Sequence, residues 1–396
     1  MTARDSLADF APATGRLKIL HVITGLTVGG AERSLSLILE GTRPQLQDIL
    51  VVSLTSSGHF HDVIREMGIK VVSLDMERGR PSLPGLIRLA GIIRQFRPDI
   101  LQSWMYHADL LSLFALWLSG RRRSTKLFWG VRCTNITRFE RRPMFSLIVR
   151  LCALFSWAPD RIIVNSNAGK EDHCKIGYAG DRMTVIHNGI KPERFRPDPA
   201  LRAAGRAGLG IADDALVVVM AARRHQMKDY PTFQDALSRL PETVGIAIGM
   251  GTEFLKKPRN LIGLGIRHDI ETILNASDIY VSSAAYGEGT SNAILEAMAC
   301  GLPVVATDVG DSAFIIGKAG LIVPPGNPQA LADAVRRIGA DPALRRQMSQ
   351  AAIERVAENF RQAGCIRQFM ALYASKGVSG FGGPQPQLER LVTPTS

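Results

Sequence analysis

The run from Asp278 to Ala306 limits what this chain can fold into more than any other stretch. An apolar segment, Asp278-Ile-Tyr-Val-Ser282, leads into a loop of glycine and small polar residues. A segment with apolar residues at helical spacing follows, then Gly301 and a second apolar segment, Leu302-Pro-Val-Val-Ala306. Strand, glycine loop, helix, strand is the unit from which a parallel sheet covered on both faces is built. Ser291 or Asn292 is placed to cap the helix, which turns Ile294, Leu295, Ala297 and Met298 inward. Glu288 then lies in the loop and Glu296 in the first turns of the helix. In such sheets ligands sit at the C-terminal ends of the strands. Free backbone N–H groups at Thr290, Ser291 and Asn292 suit a phosphate. The two carboxylates suit the hydroxyls of a sugar or ribose. A lone pair of glutamates is more often two solvated surface residues, so the other motifs must decide.

The same unit recurs along the chain. Residues 17–23 read as a strand running into TGLTVGGAE (24–32) and a helix over 33–39. This loop is not G-x-G-x-x-G, so it fails as a dinucleotide fingerprint. Gly29 and Gly30 at a helix start still allow a ligand close to the backbone. Strands over 48–54, 70–74 and 99–103 alternate with helices over 60–67 and 84–96. The last of these strands leads to His107, which is a ligand-edge candidate, although a single histidine is more often structural. Strands over 161–166 and 183–189 follow, and Pro192, Pro197 and Pro199 mark a boundary. Beyond it, residues 216–221 read as a buried strand whose loop carries Arg223 and Lys228. Cations there neutralise a phosphate, unless they are plain surface residues. Strands at 244–251, 260–265, 302–306 and 320–325, with helices from 269, 329 and 342, complete the pattern. The expected division is a leader (1–16), a first domain (17–192), a second domain (193–375) and a tail (376–396). The leader and the Gly- and Pro-rich tail are expected to be disordered.

A chain of 396 residues is natural for two domains. Its net charge of +12 points to an anionic partner. Five scattered cysteines with no C-x-x-C pair fit a reducing compartment and give no structural zinc site. The polar N-terminus lacks the apolar region of a signal peptide, and no apolar run is long enough to span a bilayer. Residues 121–150 hold nine Lys or Arg against Glu140 alone, and the apolar stretch Met144–Trp157 overlaps their end. This reads as a surface for anionic lipid on an inner leaflet, or as a solvated basic face. No nucleic-acid-binding pattern is present.

Glu288 and Glu296 match the E-x7-E signature, and the stretch around them resembles the family-4 retaining glycosyltransferases. Arg223 and Lys228 match that family's R-x4-K, and Gly29 to Glu32 its G-G-A-E loop. The resemblance covers about 17–375 and is strongest from Ala276 to Pro325. It implies a GT-B fold, with two Rossmann-like, doubly wound parallel-sheet domains facing a central cleft. By resemblance, Glu296 takes the ribose hydroxyls and Glu288 those of the donor sugar. Arg223 and Lys228 hold the diphosphate, which Gly29, Gly30, Thr290, Ser291 and Asn292 line. The family's N-domain histidine is missing: Trp129-Gly-Val-Arg-Cys133 stands in its place, so His107 or Arg132 is left to substitute for it. No D-x-D pair stands at a strand end, so neither metal nor cofactor is expected. The implied activity is transfer of a hexose-type sugar, with retention, from a nucleotide-sugar to a glycan or lipid-linked acceptor. Such an enzyme is expected in the cytoplasm, peripheral on the inner membrane face, and without a nucleic-acid partner. A nucleotide-sugar epimerase on the same fold and a non-enzymatic membrane scaffold are the alternatives. A glycosidase also uses two carboxylates but needs no diphosphate cations.

Overall fold

A computed structural model describes residues 17–27, 29–42, 48–56, 58–77, 82–134 and 143–375. The expected leader and tail lie outside the described residues, as do Arg138, Glu140, Arg141 and Arg142 of the basic segment. The first sheet has seven parallel strands: β1 (Lys18–Ile23), β2 (Asp48–Ser53), β3 (Lys70–Ser73), β4 (Ile100–Trp104), β5 (Lys126–Val131), β6 (Arg161–Val164) and β7 (Met183–Val185). Their order is β3-β2-β1-β4-β5-β6-β7. The second sheet has six: β8 (Leu216–Ala221), β9 (Thr243–Ile248), β10 (Leu261–Gly263), β11 (Ile279–Ser282), β12 (Val304–Thr307) and β13 (Gly320–Val323), in the order β10-β9-β8-β11-β12-β13. The expected pair of doubly wound parallel sheets is present.

Alternation along each strand explains why both faces are covered. In β1, Ile19 and Ile23 pack with Leu35, Ile38 and Leu39 of the helix Gly30–Thr42. Leu20 and Val22 face the other way, onto Leu89 and Ile93 of the helix Leu83–Phe96 and Leu113 of Tyr106–Leu118. All of these residues are buried. Each such side chain contributes about 1.5–3 kcal/mol by leaving water. The second sheet is sandwiched in the same way by two further apolar clusters.

Strand order reverses between β1 and β4 in one sheet and between β8 and β11 in the other. The segments leaving these neighbouring strands diverge to opposite faces and leave a crevice at the C-terminal edge. The GGAE loop and His107 follow β1 and β4. Arg223, Lys228 and the Glu288 loop follow β8 and β11. Every motif of the candidate site except Arg132 therefore leaves a strand at a switch point; Arg132 follows β5.

The chain crosses between the sheets twice. Residues 186–198 run out, and 360–362 run back. The two crossings touch: Ile190 N–H donates to the Phe360 carbonyl at 2.7 Å, and Gln362 N–H to the Ile190 carbonyl at 2.9 Å. A Cβ on Gly189 would lie 2.5 Å from Gln362 Cα, so only glycine allows this approach. The last described helix, Gln362–Ala374, was expected with the second domain. It packs on the first sheet instead, because Cys365, Ile366, Phe369, Met370 and Tyr373 form one apolar face against Ile19, Ile100 and Phe128.

Candidate functional site

The second domain supplies most of the charge at the cleft. The β11 strand opens into the loop that carries Glu288, and the helix Asn292–Ala299 follows. Ser291 stands at the N-cap position but makes no side-chain cap. Gly301 ends the helix with φ +79°. Ile294, Leu295, Ala297 and Met298 are buried as the pattern required, and Glu296 is buried among them at 2% exposure. A carboxylate in that position is costly unless it is paired. Burial raises its pKa, and the neighbouring Arg33 opposes the rise. Arg33, from the helix Gly30–Thr42 of the first domain, forms an ion pair with Glu296 Oε1 across the cleft.

Glu288 is 8% exposed and forms an ion pair with Lys228. Its carbonyl accepts a hydrogen bond from Thr134 Oγ1 of the first domain at 2.7 Å. Arg223 lies exposed in the loop after β8. His225 lies between the two cations, and its pKa is lowered by partial burial and then by the charges of Arg223 and Lys228. The predicted pair of cations therefore shares one positive field at the mouth of the loop. Met250 and Ile266, both exposed, flank this loop. They are held there because Arg224 N–H donates to the Met250 carbonyl at 2.8 Å and Gly249 N–H to the Gly265 carbonyl at 2.7 Å.

The starts of two helices meet across the cleft. Asn188, in the first crossing segment, donates from Nδ2 to Asn292 Oδ1 at 2.9 Å and to the Thr290 carbonyl at 3.4 Å. Its Oδ1 accepts from Ser34 Oγ at 3.4 Å and from Arg132 Nη1 at 2.7 Å. Thr290 Oγ1 donates to the Asn165 carbonyl, so that hydroxyl is used by the first domain. Gly30 opens its helix, and a Cβ there would meet nothing within 4 Å, so the space belongs to no protein group. At Gly29 a Cβ would collide with the Glu32 carboxylate.

Two further predicted residues, Arg132 and His107, come from the first domain. Arg132 turns to Asn188 of the first crossing segment. Its guanidinium lies 4.8 Å from the Trp104 ring and 5.8 Å from that of Phe369. The residue as a whole is partly exposed, but Nε and Nη2 are out of solvent and without a hydrogen-bond partner among the described residues. Burial pushes its pKa down to about 10. His107 sits in the first turn of the helix Tyr106–Leu118, its ring 6.0 Å from that of Phe145.

Several residues to which the sequence assigns no site role also belong to the cleft. Besides Arg33 and Asn188, Asp311 of the second domain caps a first-domain helix, Asn167–Lys175. Its carboxylate accepts from Asn167 N–H and Ala168 N–H, each at 2.8 Å, and from His187 Nε2 at 3.0 Å. Burial pushes the Asp311 pKa up, but these donors outweigh it and hold the carboxyl below its usual range. Among the described residues, no three His, Cys, Asp or Glu come together as a metal site, and no helix is long and apolar enough to cross a membrane.

With this geometry in place, likeness to known proteins can be weighed. Residues 28–194 match Glycosyltransferase Family 4, and residues 215–341 match Glycosyl transferases group 1. The lipopolysaccharide core biosynthesis glycosyltransferase LpsE of Rhizobium meliloti is 26% identical over 91% of this chain and 100% of its own length. A D-inositol 3-phosphate glycosyltransferase of Streptomyces bingchenggensis is 30% identical over 51% of this chain and 50% of its own length. The chain thus spans about half the length of the inositol phosphate enzymes that it matches. Among solved structures, Anabaena Alr3699/HepE in complex with UDP superposes with a TM-score of 0.79 at 22% identity, covering 91% of this chain and 100% of that one. WaaG, a glycosyltransferase involved in lipopolysaccharide biosynthesis, superposes with a TM-score of 0.69 at 14% identity, covering 90% and 100%. These structural likenesses carry the fold. The chain, matched in both halves, belongs to the group 1 and Family 4 glycosyltransferases of the GT-B fold.

Proposed function

We propose that this protein is a retaining, metal-independent hexosyltransferase. It moves a hexose-type sugar from a nucleotide-sugar to a hydroxyl of a lipid-linked glycan in cell-surface polysaccharide synthesis. The observation that carries the reading is the cluster at the second sheet's switch point. There Arg223 and Lys228 form one positive field beside Glu288, and the buried Glu296 stands on the adjoining helix. In this reading the cations stabilise charge developing on the departing diphosphate. Glu288 takes the sugar hydroxyls and Glu296 the ribose hydroxyls. Met250 and Ile266 offer apolar surface to a planar base. The first-domain wall, from Gly30 to His107, faces the acceptor. Arg132 serves through Asn188, by fixing Asn292 and the carbonyl of Thr290. Closing such a cleft excludes water, which otherwise wastes the donor by hydrolysis.

The full-length likeness to LpsE supports a lipopolysaccharide-type acceptor, and the UDP bound to Alr3699/HepE supports a nucleoside diphosphate donor. The outer face of the helix Pro143–Leu154 supports membrane docking from the cytoplasmic side. Met144, Leu147, Arg150 and Leu154 lie three or four residues apart on one helical stripe, and Trp157 continues it just past the helix end. All five are exposed. An apolar stripe turned outward beside basic residues suits a lipid interface.

The test is to supply a panel of nucleotide-sugars, with and without a membrane lipid extract. The account expects sugar to appear on lipid, with the donor's anomeric configuration kept in the product. Gly30→Val fills space that no protein atom uses, so it should melt like wild type yet lose about a hundredfold in transfer. Donor converted to another nucleotide-sugar without lipid would favour an epimerase instead.

A further inference from the structure

We propose that Arg33 occupies the ribose position on Glu296 while the cleft is empty, and that the incoming donor exchanges it. Arg33 is then a positioning residue that sets how tightly the nucleoside is held. The proposal rests on the ribose reading of Glu296.

Glu296 cannot stand alone as an anion. It is 2% exposed, and burial drives it toward the protonated form. Arg33, which comes from the other domain, is the foremost cation that opposes this, with a smaller part from Arg194. The contact is an ion pair, with Glu296 Oε1 shielded from solvent. A ribose hydroxyl that donates to the same carboxylate must take the place of Arg33 there. Arg33 has room to leave, being a third exposed. It sits one turn from the Gly30 helix start, where a side chain would meet only open space. Its neighbour Ser34 holds the helix start in place through the Gly30 carbonyl at 2.9 Å and Asn188 at 3.4 Å. The exchange therefore needs motion of one side chain and not of the helix.

Competition for one carboxylate has a measurable sign. Removing the competitor must tighten binding of a ligand that offers only ribose and base. We would use the free nucleoside whose diphosphate the protein binds, among adenosine, guanosine, cytidine and uridine. Titration calorimetry of Arg33→Gln should show nucleoside bound about three- to fivefold more tightly than by wild type, the scale of a partly exposed ion pair. The gain should vanish when Glu296→Gln is also present. Raising ionic strength should tighten nucleoside on wild type, since salt weakens the pair, and leave Arg33→Gln unchanged. This second arm needs only the wild-type protein if the variant folds poorly. Equal or weaker nucleoside binding by a folded Arg33→Gln, or wild-type affinity that stays flat or falls with salt, overturns the proposal. If Glu296→Gln binds nucleoside as wild type does, the ribose reading falls and the exchange with it.

Discussion

The two sheets bring switch-point edges to the same cleft but hold their charges there differently. On the second sheet the charges are paired, Lys228 with Glu288 and Glu296 with Arg33 of the opposite wall. On the first sheet Arg132 pairs with no carboxylate among the described residues. It rests on Trp104 and Phe369 and gives one hydrogen bond, to Asn188. Paired charges at the rim can be rearranged by an anionic ligand. A cation held by aromatic rings stays put with or without one. Ion-paired charge thus belongs to the second-domain wall, and the fixed cation to the first.

The largest effect should come from breaking the second domain's positive field. Lys228→Ala and Arg223→Ala should each lower turnover by about a hundred- to a thousandfold, on the scale of a lost donor to developing charge. The melting temperature of Arg223→Ala should stay near wild type, since Arg223 is exposed. Steady-state assays that find either variant within twofold of wild type remove it from the site.

A smaller effect tests the first domain's outer face. Arg122 is engaged by Asp160 at 3.3 Å and the Ala158 carbonyl at 2.7 Å, so Arg121, Arg123 and Arg150 are the better targets. Each contributes about 1 kcal/mol near an anionic surface. Replacing all three by Ser should release the protein from phosphatidylserine vesicles in flotation. Equal flotation with neutral and anionic vesicles would remove the basic face from the account.

The unequal share of these features explains what could be read from the sequence. Glycine loops, strand runs and the spacings of Arg223 to Lys228 and Glu288 to Glu296 are local, so they are visible. The helix Pro199–Leu209 is not, because in sequence Pro199 reads as a breaker. It is the first residue of the helix, and Asp198 caps it by accepting from Ala200 N–H at 2.9 Å and Leu201 N–H at 3.1 Å. The same Asp-Pro start opens the helix Pro342–Asn359. The helix Tyr106–Leu118 escaped because apolar residues surround it and leave no period to detect. Arg33, Asn188 and Asp311 escaped for another reason. Each gains its meaning from a partner far along the chain, as with Asn167 and Asp311, 144 residues apart, and no local spacing records that.

The domains should also differ in acid, by a smaller amount. His21 and His173 are buried in the first domain, and burial lowers them to about 3 and about 4. His21 accepts from Trp104 Nε1 at 3.2 Å, and His173 lies 2.9 Å from Tyr106 Oη. Between pH 4 and 6.5 the unfolded chain protonates both, so each loses stability for the fold as pH falls. Asp109, raised to about 7 by burial against its bonds to Ser103 and Gly130, acts the other way. The folded chain keeps that proton above pH 3.8, where the unfolded chain has lost it. The balance is about one extra proton on the unfolded chain, or ~1.4 kcal/mol lost per pH unit on acidification. Asp109→Asn removes the opposing group and should about double this slope. Urea melts followed by tryptophan fluorescence suit the test, since all four tryptophans (104, 117, 129 and 157) lie in the first domain. A slope unchanged in Asp109→Asn would contradict the assignment.

The central claim is that a buried carboxylate of the second domain holds the ribose of a nucleoside diphosphate. Titration calorimetry with UDP, GDP, ADP and CDP, on wild type and Glu296→Gln, addresses it most directly. The account predicts that wild type binds one of the four, and that Glu296→Gln binds the same one about ten- to a hundredfold more weakly, the worth of a charged acceptor. Equal affinity in the two proteins, or no binding of any diphosphate by wild type, would contradict it.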